Sequence, residues 1–169
     1  MSPDTTTVNI IPEFHIPSTI FNQLDGSAKR SFSGVIDFLV TKLPAKYTAF
    51  LLNNPTTALA ALGNTQELMS SSIFEAELDR VQVGLSRATI AAASYCQLRG
   101  LNVIRGVVTS GEQWIFFVYK RHPDGTGRVL SSEQYTLGEN LEGLALVLGL
   151  LRDSIDNTTS SDHTFFTTT

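Results

Sequence analysis

Three acids inside two apolar stretches carry the most chemistry in this sequence. Asp37 is the single acid of SFSGVIDFLVTK (residues 31–42), and Glu75 and Glu77 stand two apart in SSIFEAEL (residues 71–78). Carboxylates on neighbouring strands are a rigid way to bring oxygen ligands onto a hard divalent cation. Such a cation stabilises charge on a phosphate and helps generate the attacking hydroxide. The chemistry open to this pattern is metal-assisted phosphodiester hydrolysis, with Asp37 and Glu75 as ligands to Mg2+ or Mn2+. The plainer reading makes both acids ordinary polar residues on or beside strands, and residue type alone leaves the two readings open.

The elements around them must then supply the geometry. In residues 31–42 strict alternation puts Phe32, Ile36, Phe38 and Val40 on one face, with Gly34 among them, and Val35, Asp37 and Leu39 on the other. Both faces are largely apolar, which predicts a central strand. Residues 71–78 read as a second core strand with Glu75 and Glu77 facing together. Asp79 then reads as a helix N-cap, with Gln82 close to capping-box spacing. The helix runs to Arg99, stops at Gly100, and buries a stripe of Val81, Leu85, Ala88, Ala92 and Tyr95. Residues 102–109 and 113–120 form a hairpin around Ser110-Gly111-Glu112. Residues 128–135 read as a further strand. Residues 140–155 read as a helix so apolar around its first three turns that it is expected to be well buried.

The N-terminal part is less regular. Residues 8–11 and 13–16 read as two short extended pieces closed by Pro12 and Pro17, which suit an edge strand or a loop. Residues 47–52 fit either a strand or a helical turn, and Asn54-Pro55 opens a short helix through Leu62. The whole reads as an α/β fold, a mixed central β-sheet flanked by helices. One domain is expected over residues 8–156, with polar, disordered ends at 1–7 and 157–169. Phe165 and Phe166 interrupt the second end and could dock on the body or contact a partner.

The run Gly34-Val35-Ile36-Asp37, then Ile73-Phe74-Glu75-Ala76-Glu77, then a helix with Gln82, resembles the PD-(D/E)XK nuclease superfamily. So does RGVVTSGEQWIFF (residues 105–117), which is similar to the strand-turn-strand that follows that helix in restriction-endonuclease-like domains. The resemblance covers residues 31–120 and rests more on element order than on any one motif. It implies a restriction-endonuclease-like core, Asp37 and Glu75 as metal-binding acids, Ala76 as the variable position and Gln82 as an orienting residue. Glu77 falls where the family places its catalytic lysine; it could bind metal but cannot supply positive charge. Lys42 and Lys46 are the nearby substitutes, though parity puts Lys42 on the face away from Asp37. The family core usually opens with an acid-bearing helix. No helix is legible before residue 31, where Asp4, Glu13 and Asp25 are the only acids. The resemblance therefore implies a DNA- or RNA-cleaving enzyme, or a non-catalytic domain binding nucleic acid or protein on the same fold.

Bulk properties narrow these classes. The chain has 169 residues and a formal net charge of -4, with 12 basic and 16 acidic residues. A protein that holds nucleic acid by general phosphate attraction usually has a basic surplus. Binding here needs a local cation or a bridging metal. Lys29-Arg30 and Lys120-Arg121 are basic pairs that could touch phosphates, but solvated surface is the more common outcome. His15, His122 and His163 are too scattered for a zinc site. Cys96 is the only cysteine, which excludes an internal disulfide and predicts a reducing, intracellular setting. No basic start leads into a long apolar run, and no stretch is long and apolar enough to span a bilayer.

Overall fold

The structure, a computed structural model, describes residues 5–22, 29–62, 70–78, 80–158 and 160. Its centre is a mixed sheet built from β1 (Thr6–Asn22), β2 (Lys29–Pro44), β3 (Ser70–Ala76), β4 (Val103–Thr109), β5 (Gln113–Arg121) and β6 (Gly127–Ser131), in that spatial order. A two-residue β7 (Tyr135–Thr136) also pairs with β5. All pairings are antiparallel except β3 with β4. A parallel pair cannot be joined by a tight turn, and α3 (Val81–Arg99) makes the crossover.

The helices make two further layers. α1 (Thr48–Asn53), α2 (Pro55–Ala61) and α3 share one core with the sheet: Leu51, Ala58, Leu59, Ala88, Ala92 and Tyr95 pack with Ile36, Leu39, Ile73 and Phe117. α4 (Leu144–Asp156) covers the other face through Val147 and Leu150, against Val107 and Phe116. The expected α/β class, a mixed sheet flanked by helices, is what the chain adopts. Local signals account for several ends. Asn54 caps α2 by accepting from the Thr57 N–H at 3.3 Å, with Pro55 in the first turn. Gly100 ends α3 at φ 66°, a conformation that suits glycine.

Several expectations need correction. Residues 8–11 and 13–16 are not two pieces. β1 is one edge strand of 17 residues that runs through Pro12 and Pro17, tolerated because an edge strand leaves unpaired N–H positions. Thr6 and Thr7 already pair with Pro44 and Leu43, so the body begins earlier than residue 8. Asn157 and Thr158 close the far end of α4, and Thr158 is buried. Residues 1–4 and 161–169, including Phe165 and Phe166, lie outside the described residues. The expected strand over 128–135 is split, because the chain leaves β6 after Ser131 and rejoins β5 only at Tyr135.

α4 departs most. It begins at Leu144 rather than 140, since Asn140 and Leu141 sit at φ 58° and 63°, outside helical backbone. It also buries only one stripe: Val147, Leu150 and Ser154 are covered, while Leu146 and Leu148 are 52% and 55% exposed. Apolar composition around a helix does not bury it when a layer lies on one side only. No described helix is long and apolar enough to cross a membrane.

Candidate active site

The site forms where β2 and β3 part. Their ladder ends at the pair Phe38–Phe74, whereas β3 stays paired with β4 to Ala76–Thr109, and the Glu77 N–H continues to the Thr109 carbonyl at 2.8 Å. Beyond Phe74 the Ala76 N–H therefore has no β2 carbonyl to meet. It donates instead to Asp37 Oδ2 at 2.7 Å, so a carboxylate terminates the ladder.

The backbone helps place this acid. Ile36 and Leu39 both enter the core under α3, although strict alternation would put them on opposite faces. Their partners Phe14 and Ile11 do the same on β1, on either side of Glu13 at φ 48°. The face expected for Phe32, Ile36, Phe38 and Val40 is thus broken at Asp37. Phe32 and Ile36 turn towards α3, while Phe38 and Val40 line a groove beside α4. The phase change in both strands coincides with the acid, a common role of irregularities near functional positions.

Glu75 meets Asp37 at this gap. Both carboxylates line the same small cavity, close enough for the Asp37 charge to act on Glu75. Burial pushes the Glu75 carboxyl up to about 7, reinforced by the neighbouring Asp37 carboxylate; Arg87 opposes the rise. Two carboxylates crowded in a half-buried place resist double ionisation. A bound cation would relieve that conflict.

Asp37, Glu75 and Arg87 line one cavity of about 300 Å³ with Phe32, Val35 and Ile90. Arg87 projects from the second turn of α3 and makes an ion pair with Glu77. A side chain on Gly84 would lie 2.7 Å from Val108 Cγ1 and 3.0 Å from Glu77 Oε2, so this glycine lets α3 approach the end of β3 closely.

The sequence-predicted residues separate. Asp37 and Glu75 come together. Glu77 lies outside this cavity; it lines a neighbouring cleft with Leu78, Thr109 and Gly111 and reaches the site only through Arg87. Gln82 is exposed, and its amide donates to Gln134 away from the acids. Arg80 is the N-cap of α3, with no side-chain cap, and Asp79 lies outside the described residues. Lys42 is not a substitute lysine, since it turns to Asp156 at 2.7 Å on the α4 side. Lys46 sits over the Tyr47 ring. Cys96 is buried and its thiol is pushed up to about 12 by desolvation, as suits an inert core side chain.

Sequence reasoning missed Arg87. The available signal was helical spacing: Gly84, Arg87, Ile90 and Ala91 recur at intervals of three and four and so share the face turned to the strand ends. Among the described residues no group of three or more His, Cys, Asp or Glu side chains converges, and Asp37 and Glu75 are the two carboxylates that line this cavity. A small hard cation that keeps several waters fits that set. No known family model, curated protein or solved structure gives a significant match to the chain.

Proposed function

We propose that the chain is a divalent-metal-dependent nuclease on a PD-(D/E)XK-like core. The observation that carries this reading is the meeting of Asp37, Glu75 and Arg87 in one cavity at the parted ends of β2 and β3. The element order supports it: an antiparallel meander β1-β2-β3, the crossover helix α3, then β4 parallel to β3. So does the crowding of the two carboxyls, which Mg2+ or Mn2+ would relieve.

Asp37 and Glu75 would hold the metal, with water completing its shell. The metal, when bound, supplies Lewis-acid polarisation of the phosphate and an acidified water. Arg87 supplies the fixed positive charge that the family's lysine would give from the position of Glu77. Its guanidinium stays charged beside a carboxylate and can donate to phosphate oxygens. Glu77 is a positioning residue: it holds Arg87 at the cavity rather than touching substrate. The single, unpaired cysteine supports an intracellular setting.

Incubation with DNA and RNA in Mg2+ or Mn2+ tests this. Asp37→Asn keeps an acceptor for the Ala76 N–H but removes the charge, so the fold should persist while the rate falls about 100-fold or more, as for loss of a main electrostatic contributor. Arg87→Ala should slow cleavage and Arg87→Lys partly restore it. Cleavage that survives Asp37→Asn would remove the site. A non-catalytic binding domain is the second reading, favoured by the use of Arg87's charge on Glu77. It predicts metal and nucleic-acid binding without cleavage by the wild-type chain.

A further inference from the structure

The cavity holding the acids has a second wall that the metal reading does not use. Phe32, Val35 and Ile90 face the same space as Asp37, Glu75 and Arg87. Val35 and Ile90 are 47% and 46% exposed, large apolar side chains left in water beside a charged centre. Phe32 is half-buried, packed on the core at one side and bordering the cavity at the other. Its ring lies against Gly34. A Cβ there would stand 2.8 Å from Phe32 Cζ, so any side chain at 34 would displace the ring.

With a cation held by the acids, a ligand that fits both walls is anionic at one end and flat and apolar at the other. A nucleotide has that character, with its phosphate towards the acids and Arg87 and its base on the apolar wall. In a duplex the base faces are stacked and covered; only an unpaired strand can offer them. Electrostatics point the same way. Duplex binding by phosphate attraction requires several cations, but among the described residues Arg87 is the one basic side chain lining the cavity, and the chain carries a net charge of -4. Stacking of unpaired bases adds affinity that does not come from positive charge and tolerates any sequence.

Building on the nuclease reading, we infer that the site takes an unpaired polynucleotide strand, with a base seated against Phe32, Val35 and Ile90. These three are specificity-determining residues: they select strandedness rather than sequence.

Fluorescence anisotropy with a short labelled oligothymidylate, an oligouridylate and a duplex of equal length, all in Ca2+, tests this. The wild-type chain should bind an unpaired strand at least about tenfold tighter than duplex, and the DNA and RNA arms decide which sugar is preferred. Val35→Ser with Ile90→Ser, both surface-accessible changes, should weaken strand binding about tenfold and leave Mn2+ binding unchanged. Val35→Trp, which enlarges the wall, should tighten strand binding. Equal or tighter duplex binding overturns the inference, as does strand binding indifferent to both sets of substitutions. The nuclease reading fails separately, on absent Mn2+ binding by the wild-type chain. In that case a strand preference that persists in chelator, and is lost in the double variant, still upholds the apolar wall.

Discussion

Glu75 gives the most direct residue-scale consequence. Its carboxyl titrates near 7 in the folded chain against an ordinary value of 4.5, so between those values the folded state binds more protons than the unfolded one. Stability therefore falls as pH rises from 4.5 through 7 and stays lower above. After discounting for partial solvent exposure, the loss is about 1–2 kcal/mol. Glu75→Gln removes the charge and should be more stable than the wild type at pH 8 by about that amount. It should have no such advantage near pH 4, where Glu75 carries its proton in both states. Urea denaturation in chelator at the two pH values checks this, and an equal difference at both would contradict it. Asp37 and Glu75 were legible in the sequence because each is an acid on a predicted core strand, in the order that the family resemblance implies. Arg87 was not, because a charged residue on an amphipathic helix looks like solvated surface until the facing strand ends are known.

At the scale of elements, the site exists because β3 has one partner that continues and one that leaves. β4 holds β3 through Ala76 and Glu77, while β2 departs after Phe38 and leaves Asp37 to satisfy the Ala76 N–H. α3 must come close enough for Arg87 to reach this gap, and Gly84 permits it. Gly84→Ala gains about 1 kcal/mol of intrinsic helix preference. Overpacking against Val108 and Glu77 costs about 1–3 kcal/mol. The second effect should win, lowering the thermal midpoint and, by shifting Arg87, also the rate of the proposed cleavage. A stabilised variant with an unchanged rate would show that the close approach has no role. The strands bearing the acids, α3 with its Gly100 stop and the β4–β5 hairpin could be read from alternation, helical period and turn residues. The phase change at Glu13 and Asp37 could not, since alternation carries no mark of a bend shared by two paired strands. The single long β1 was hidden for a related reason. Pro12 and Pro17 read as stops, and only its place at the sheet edge makes them harmless.

At the scale of the molecule, the sheet is covered on one face by α1, α2 and α3 and on the other, among the described residues, by α4. This asymmetry explains why the apolar sequence of α4 misled. Among the described residues its outer leucines have no further layer to enter, and its neighbours Val8, Ile10 and Phe38 remain exposed on β1 and β2. The acid site lies on the thicker side, under α3, where close packing can hold two carboxyls together at a cost that a bound cation would offset. The net charge of -4 argues mildly against general phosphate attraction, so the proposed nuclease depends on a bound metal to recruit phosphate. Calorimetric titration of Mn2+ into the metal-free wild type, Asp37→Asn and Glu75→Gln chains near neutral pH tests this account most directly. The account predicts binding by the wild type, weakened about 10–100-fold or more in each variant, at least the loss seen for outer-shell partners of a metal. Absence of binding to the wild-type chain, or equal binding by all three, would contradict it.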